Sequence, residues 1–246
     1  DSTLPLRAGL TASQLKWPLS GEANIQLNQL QAEANGNLQQ LLFSGQLTAN
    51  GKQIPQTSVQ LNGVSSLSGA TLENLAVNTL GGEIRATAVL SWQQQLNWLA
   101  NLKLTQIQPG QFWPDYSGEL NGNMQFNGNL TEQGGWQLAL PELKLNGTLR
   151  DYELLLDGSL NAADLTGQGD YQLTTSGLVL RHAQNQMELT GSLDKDWQLA
   201  LDIAIPDLGQ TLSGANGDIS ANFQLTGKRD TPKLAGKLNA RDLQWQ

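Results

Sequence analysis

Large apolar residues fall on every second position through most of this chain. In Trp197-Gln198-Leu199-Ala200-Leu201-Asp202-Ile203-Ala204-Ile205 the odd positions are all large and apolar. Successive strand side chains point to opposite faces of a sheet, so this spacing predicts a strand with one oily face and one polar or small-residue face. The same reading fits Gly122-Met124-Phe126-Gly128-Leu130, Leu143-Leu145-Gly147-Leu149, Leu154-Leu156-Gly158-Leu160, Met187-Leu189-Gly191-Leu193 and Ile219-Ala221-Phe223-Leu225-Gly227. No helical pattern accompanies these segments to cover them. A sheet that is apolar on one side must hide that side against something, and what fills it becomes the functional question.

The parity of the apolar positions gives the connections. It is odd from Leu143 to Leu149 and even from Tyr152 to Leu160, so Arg150-Asp151 predicts a two-residue hairpin turn. Odd parity returns at Leu165-Gly167-Gly169-Tyr171-Leu173 and switches again at Leu178-Leu180. Strands joined by short polar links describe an antiparallel meander, with a longer loop or a crossing between sheets at Pro206 to Gly217. Towards the start, Phe43-Gly45-Leu47-Ala49, Ile84-Ala86-Ala88-Leu90-Trp92 and Trp98-Ala100-Leu102-Leu104 read as strands. Between Leu27 and Leu42 the apolar spacing also suits one helix face, but Asn35-Gly36 interrupts it, and a strand pair is the better reading.

Glycine shares the parity of leucine in most of these strands. Two readings stand side by side. Asn127-Gly128, Asn146-Gly147 and Asp157-Gly158 are dipeptides favoured in hairpin turns. Alternatively, Gly inside a strand lets a sheet bend or leaves a hollow on its inner face, which would suit a guest with hydrocarbon tails. Each fully exposed Leu or Ile forgoes roughly 1.5–3 kcal/mol of burial, so the oily faces call for opposing walls or for lipid.

Residues 118–128 parallel residues 217–227 at an offset of 99, with apolar positions matched throughout. Repetition of one unit favours a neighbour-contact architecture, with sub-repeats expected near 118–216 and 217–246 of a single continuous β-rich segment. No Pro- or Ser-rich linker marks a boundary. The pattern is still strand-like at Trp245-Gln246, and the chain reads as a fragment of a longer protein.

Composition narrows the classes. Charged residues are 15% of the 246, and the net charge is −8, which argues against a nucleic-acid partner. No polybasic block suggests an anionic membrane surface. Cysteine is absent, which removes disulfides, thiolate metal sites and thiol nucleophiles. No apolar run approaches the roughly 20 residues of a membrane helix.

Catalytic constellations are sparse. The single histidine, His182, is read as an outward-facing residue at a strand end with a structural role. There is no Gly-x-Ser-x-Gly elbow, and Gly45 to Lys52 resembles a phosphate loop only superficially. Asp194-Lys195-Asp196 reads as a solvated turn. Glu119, Glu142 and Glu153 form no pair that spacing reveals. Trp92, Trp98, Trp136 and Trp197 are expected to pack on the apolar face. No enzyme, metal or cofactor is expected.

The phrase Leu225-Thr226-Gly227-Lys228-Arg229-Asp230-Thr231-Pro232-Lys233-Leu234-Ala235-Gly236-Lys237-Leu238 resembles the recurrent L-x-G…P-x-L-x-G-x-L phrase of the TamB family and its AsmA-like relatives. The Gly- and Leu-punctuated strands from about residue 84 onward are similar in texture. The resemblance implies an all-β fold, an elongated antiparallel meander curled into a U-shaped, taco-like sheet with an apolar concave groove. It implies the periplasmic portion of a protein anchored in the bacterial inner membrane. The family is related to bridge-like lipid-transfer proteins that carry phospholipid towards the outer membrane. Through the parent protein, it also implies partnership with the outer-membrane barrel TamA in the translocation and assembly module, which supports autotransporter and outer-membrane protein assembly.

On this reading phospholipid acyl chains would lie against Leu90, Leu102, Leu104, Met124, Phe126, Leu138, Leu140, Leu143, Leu145, Leu154, Leu156, Leu173, Leu189, Leu199, Leu201, Ile203, Ile205, Ile219, Phe223 and Leu225. The same groove would serve a chaperone holding nascent β-barrel strands by edge pairing. Other classes remain: a transmembrane β-barrel, which alternates with the same period but should carry aromatic girdles; a β-solenoid adhesin, which should show a shorter repeat; and a closed β-sandwich with no ligand.

Overall fold

Alternating segments separated by short polar links leave the chain little choice but to pair each strand with the next. The computed structural model describes residues 2–18 and 24–245. All regular structure in it is β-strand, apart from three short 3-10 turns. The chain divides into two units, Asp1–Pro114 and Asp115–Gln246.

The first unit holds β1 (Leu6–Trp17), β2 (Ile25–Gly36), β3 (Leu41–Gly51), β4 (Thr57–Ser65), β5 (Gly69–Thr79), β6 (Gly82–Ser91) and β7 (Asn97–Ile107). Each runs antiparallel to its sequence neighbour. The stretch from Leu27 to Leu42 is the expected strand pair. Its turn is fixed by the Asn37 side chain, whose Oδ1 accepts from the main-chain N–H of Gln39 at 2.9 Å and of Gln40 at 3.0 Å. The helix-like spacing there has a simple source. A register shift between Leu27 and Gln29 moves the apolar set of β2 from odd to even positions.

The second unit holds β8 (Gly118–Leu130), β9 (Trp136–Leu149), β10 (Tyr152–Asp164), β11 (Tyr171–His182), β12 (Asn185–Leu193), β13 (Asp196–Ile205), β14 (Ala215–Lys228) and β15 (Lys233–Trp245). It is again an antiparallel meander in chain order. Arg150 and Asp151 form the predicted two-residue turn, both with positive φ, 52° and 67°. Neither meander closes on itself: β1 is not bonded to β7, nor β8 to β15.

Two alternatives are decided and two expectations are corrected. Asn127-Gly128, Asn146-Gly147 and Asp157-Gly158 lie inside β8, β9 and β10, so the turn reading of these dipeptides fails. Leu165 to Gly169 is a loop rather than a strand, because the buried Asp164 carboxylate gathers the N–H groups of Gly167 and Gly169 at 2.9 and 2.8 Å. Residues 206–214 make a loop carrying the 3-10 turn Leu208–Gln210, and β13 still pairs β14, so nothing crosses between sheets. His182 points inward and is only 2% exposed. The segment compared with a phosphate loop is mostly β3 itself.

The 99-residue repeat extends further back than residue 118. In the turn Pro109–Gln111 the N–H groups of Gln111, Phe112 and Trp113 bond the carbonyls of Gln108, Pro109 and Pro109. In the turn Leu208–Gln210 those of Gln210, Thr211 and Leu212 bond Asp207, Leu208 and Leu208, the same pattern 99 residues on. Each loop follows an inward-facing isoleucine, Ile107 or Ile205, and leads into the paralleled strands β8 and β14.

Candidate functional site

Register carries the apolar positions from strand to strand. In the first unit Leu10, Ala32, Gly45, Leu61, Leu75, Ala86 and Leu102 are successive partners across all seven strands. In the second unit Met124, Leu143, Gly158, Leu178, Leu189, Leu201, Phe223 and Gly236 are successive partners across all eight. A parallel row runs Gly122, Leu145, Leu156, Leu180, Met187, Ile203, Ala221 and Leu238. Because directly opposed residues share a face, each unit presents one continuous apolar face.

The other face is mainly polar, although in the first unit Leu42, Val64, Thr71, Val89 and Leu99 are successive partners on it. Gln31, Gln46 and Gln60 are opposed across β2, β3 and β4, and the Gln46 amide donates to Gln31 Oε1 at 2.7 Å. In the second unit Lys144, Asp157, Val179, Glu188, Asp202, Asn222 and Lys237 share one row, polar apart from Val179. There the Asn222 amide donates to Asp202 Oδ1. Charge in these rows stays off the oily side, where an unpaired ion would be costly. The buried carboxylate of Asp164, opposite Trp136 at a strand end, is an exception and is held by main-chain N–H groups.

All of the expected lining residues but one fall in register rows or at matching parity within them. Leu90 opposes Trp98, Leu102 opposes Ala86 and Leu104 opposes Ile84 in the first unit. Leu138 and Leu140 precede, and Leu143 and Leu145 follow, the exposed Pro141-Glu142 bulge that reverses parity in β9. Leu154 faces Gly147 and His182, and Leu173 faces Ala162 and Leu193. Leu199 opposes Gly191 and Leu225, and Ile205 opposes Ile219. Phe126 alone sits at a register break of β8.

None of these twenty side chains is fully buried, and every one is partly exposed. Among the described residues the buried apolar set is Ala49, Ile107, Leu193, Ala215 and Ala221. The chain exposes 15172 Å², against roughly 10,700 Å² for a compact protein of this mass. A closed core would have removed the apolar rows from water altogether. These rows are largely covered by their own neighbours, yet each side chain keeps part of its surface exposed.

Glycines on the apolar face have large partners. Gly63 lies opposite Phe43, Gly236 opposite Phe223, Gly147 opposite Leu154, and Gly191 opposite Leu199. A side chain at Gly63 would run into Thr71 O at 2.2 Å and Phe43 Cζ at 2.5 Å, so the ring occupies the space that glycine leaves. Gly45 differs. Its missing Cβ would meet Leu61 only at 3.5 Å, an ordinary contact.

That space belongs to a cleft of about 490 Å³ over β1 to β4. Leu10, Leu30, Phe43, Leu47, Val59 and Leu61 line it, with Ala32 and Gly45 at its floor. The volume is that of an ordinary small-molecule site. These residues were not singled out in the sequence, although Phe43-Gly45-Leu47-Ala49 and Val59-Leu61-Gly63 carry the same alternation.

At the end of β11 the inward polar groups form a hydrogen-bonded chain. His182 Nε2 lies 2.8 Å from the Leu149 carbonyl, which can only accept, so this nitrogen carries the proton. Nδ1 then accepts from Thr211 Oγ1 at 3.0 Å, and Thr211 accepts from the Asn185 amide at 2.7 Å. This is a structural chain of donors with no substrate-facing group. Trp98, Trp136 and Trp197 occupy the apolar parity, and Trp197 Nε1 donates to Arg229 O at 3.2 Å. Trp92 lies just past β6 and donates to Leu67 O at 2.9 Å. No helix among the described residues is long and apolar enough to cross a membrane.

Comparison with known proteins follows the same lines. The family model for the TamB N-terminal domain matches residues 1–246. The chain is 28% identical over 193 residues to the translocation and assembly module subunit TamB of Haemophilus influenzae. That span is 78% of this chain and 14% of the relative, so the chain corresponds to a small part of its length. No solved structure matches.

Proposed function

This chain belongs to the TamB N-terminal domain family, and from that premise we propose that it is a non-enzymatic hydrophobic conduit for phospholipid acyl chains within the translocation and assembly module. The observation that carries the proposal is the pair of uninterrupted apolar rows, partly exposed and backed by a mainly polar face. Apolar contact is non-directional and amounts to about 0.8 kcal/mol per buried methylene. A tail is therefore held by many small contacts and can slide from one row to the next without a high barrier. On this reading each unit curls into a U-shaped groove with its apolar rows on the concave side, and in the first unit the 490 Å³ cleft at Phe43, Gly45 and Leu61 is one seat for a tail.

In this reading the segment works in the periplasm as part of a parent anchored in the inner membrane. Phospholipid passes along it towards the outer membrane, where the parent meets the barrel TamA. Supply of lipid supports assembly of autotransporters and other outer-membrane proteins.

Photocrosslinking in cells tests the proposal, with a benzophenone residue at Leu201 or, separately, at Asp202. Leu201 stands between Leu189 and Phe223 in the apolar row, whereas Asp202 stands between Glu188 and Asn222 on the polar face. Phospholipid captured at Leu201 and not at Asp202 is the expected result. Peptides from barrel precursors at Leu201 would instead favour a groove that chaperones nascent strands. Adducts confined to this chain would mean a closed core and end the conduit reading.

A further inference from the structure

A second cavity in the first unit, of about 540 Å³, lies at the ends of β2 to β5 against the loop that follows β7. Its walls include Thr48, Thr57, Asn78, Thr79, Gln111 and Phe112, and none of its lining side chains ionises. The corresponding place in the second unit, under the loop 99 residues on, is filled. Arg150 Nη1 reaches Gly209 O at 2.8 Å, the Asn185 amide reaches Asp207 O at 2.7 Å, and His182 bonds Thr211. Where the second unit ends β11 with His182, the first ends β5 with Thr79. One scaffold with the same loop hydrogen bonds is thus tied to its strands by side-chain hydrogen bonds in one unit and bordered by a hollow in the other.

The geometry points to this hollow as a binding site for a neutral, hydroxyl-rich group, either a sugar or the polyol headgroup of a lipid. Hydroxyl and amide side chains both donate and accept, which matches the dual character of a sugar hydroxyl. Thr57 Oγ1 donates to Pro55 O at 3.0 Å, so in its 3.0 Å contact with Thr79 the Thr79 hydroxyl is the donor. Both oxygens then retain lone pairs for ligand hydroxyls. The Phe112 ring, held edge-to-face by Trp113 with centroids 5.0 Å apart, offers an apolar surface for the C–H face of a sugar. A phosphate or ammonium group would find no counter-charge in the lining, and desolvating it there would be unfavourable. The site is separate from the apolar cleft and does not rest on the conduit proposal.

Two arms distinguish the sources. The 246-residue chain is titrated with maltose and N,N′-diacetylchitobiose under saturation-transfer NMR. It is also floated with phosphatidylcholine vesicles with and without glucosyl-diacylglycerol. Binding in the first arm identifies free glycan, and glycolipid-dependent flotation identifies a lipid headgroup. In either case the double variant Thr57→Val/Thr79→Val, which keeps shape and strand preference, should weaken binding by about tenfold or more. Asp202→Asn, on the polar face of the second unit, should leave it unchanged. Absence of binding in both arms, binding indifferent to the double variant, or displacement by inorganic phosphate would overturn the inference.

Discussion

The Phe43 ring lies over Gly63. The two are direct register partners on β3 and β4, and a methyl group on Gly63 would sit 2.5 Å from Phe43 Cζ and 2.2 Å from the Thr71 carbonyl oxygen. Two neighbours, one of them main chain, therefore exclude any side chain there. Gly63→Ala should cost roughly 1–3 kcal/mol by overpacking, read as a lower urea midpoint at unchanged slope. Gly45→Ala, with its nearest contact at 3.5 Å, should stay within about 0.5 kcal/mol of the parent. Equal stability of the two variants would refute the packing account.

Charge placed in the apolar rows should stop passage of lipid. Leu156 stands between Leu145 and Leu180, and Leu201 between Leu189 and Phe223. Leu156→Arg or Leu201→Asp should reduce phospholipid capture at neighbouring apolar positions by about tenfold or more, because an unpaired charge is poorly tolerated beside acyl chains. Asp202→Asn keeps an oxygen for the Asn222 amide and should be nearly silent. Unchanged capture in all three variants would sink the conduit.

Removing His182 should loosen the loop that carries Thr211. The imidazole is 2% exposed and links the Leu149 carbonyl to the Thr211 hydroxyl. His182→Ala leaves both groups without their partner and opens a void, at a cost of about 2–4 kcal/mol. Amide exchange at Leu212, whose N–H bonds Leu208 O at 2.9 Å, should accelerate in step. Stability indistinguishable from the parent would show that the network contributes nothing.

Acid should expose the role of Asp164. Desolvation, the largest single influence, pushes its pKa up, but the N–H groups of Gly169, Gly167, Gln168 and Thr166 together outweigh it and hold the carboxyl below its ordinary value. A depressed folded-state pKa adds stability above the unfolded value of about 3.9, and that stability is lost as pH falls through the lower folded value. Asp164→Asn should therefore lower stability at neutral pH and narrow its gap to the parent as pH drops below about 4. A constant gap across that range would contradict the assignment.

How much the sequence revealed differs from place to place. The Arg150-Asp151 turn could be read because a parity change across two polar residues admits little else. Pairing of each strand with the next followed from links too short for a crossover. The Leu165–Gly169 stretch misled because alternation alone does not reveal a carboxylate that collects local N–H groups. Leu27 and Leu30 admitted a helical alternative because a bulge shifts parity by one and imitates helical spacing, and Asn35-Gly36 still favoured the strand pair that forms. His182 shares the even parity of Leu178 and Leu180, which oppose Leu189 and Met187 in the apolar rows, so alternation within β11 already placed it inward and the outward reading was wrong.

By itself the sequence determined which side chains share a face. Strand geometry has a period of two, and neighbouring residues inherit their sides from it whatever the rest of the chain does. Only the tertiary structure decided which of those side chains meet and what they leave open. Phe43 fills the space over Gly63, whereas Leu61 comes only to ordinary contact distance of Gly45, and Thr79 borders a hollow where His182 is buried and hydrogen-bonded. Those outcomes depend on register, bulges and loops bringing together residues 20 to 60 positions apart, for which local periodicity carries no signal.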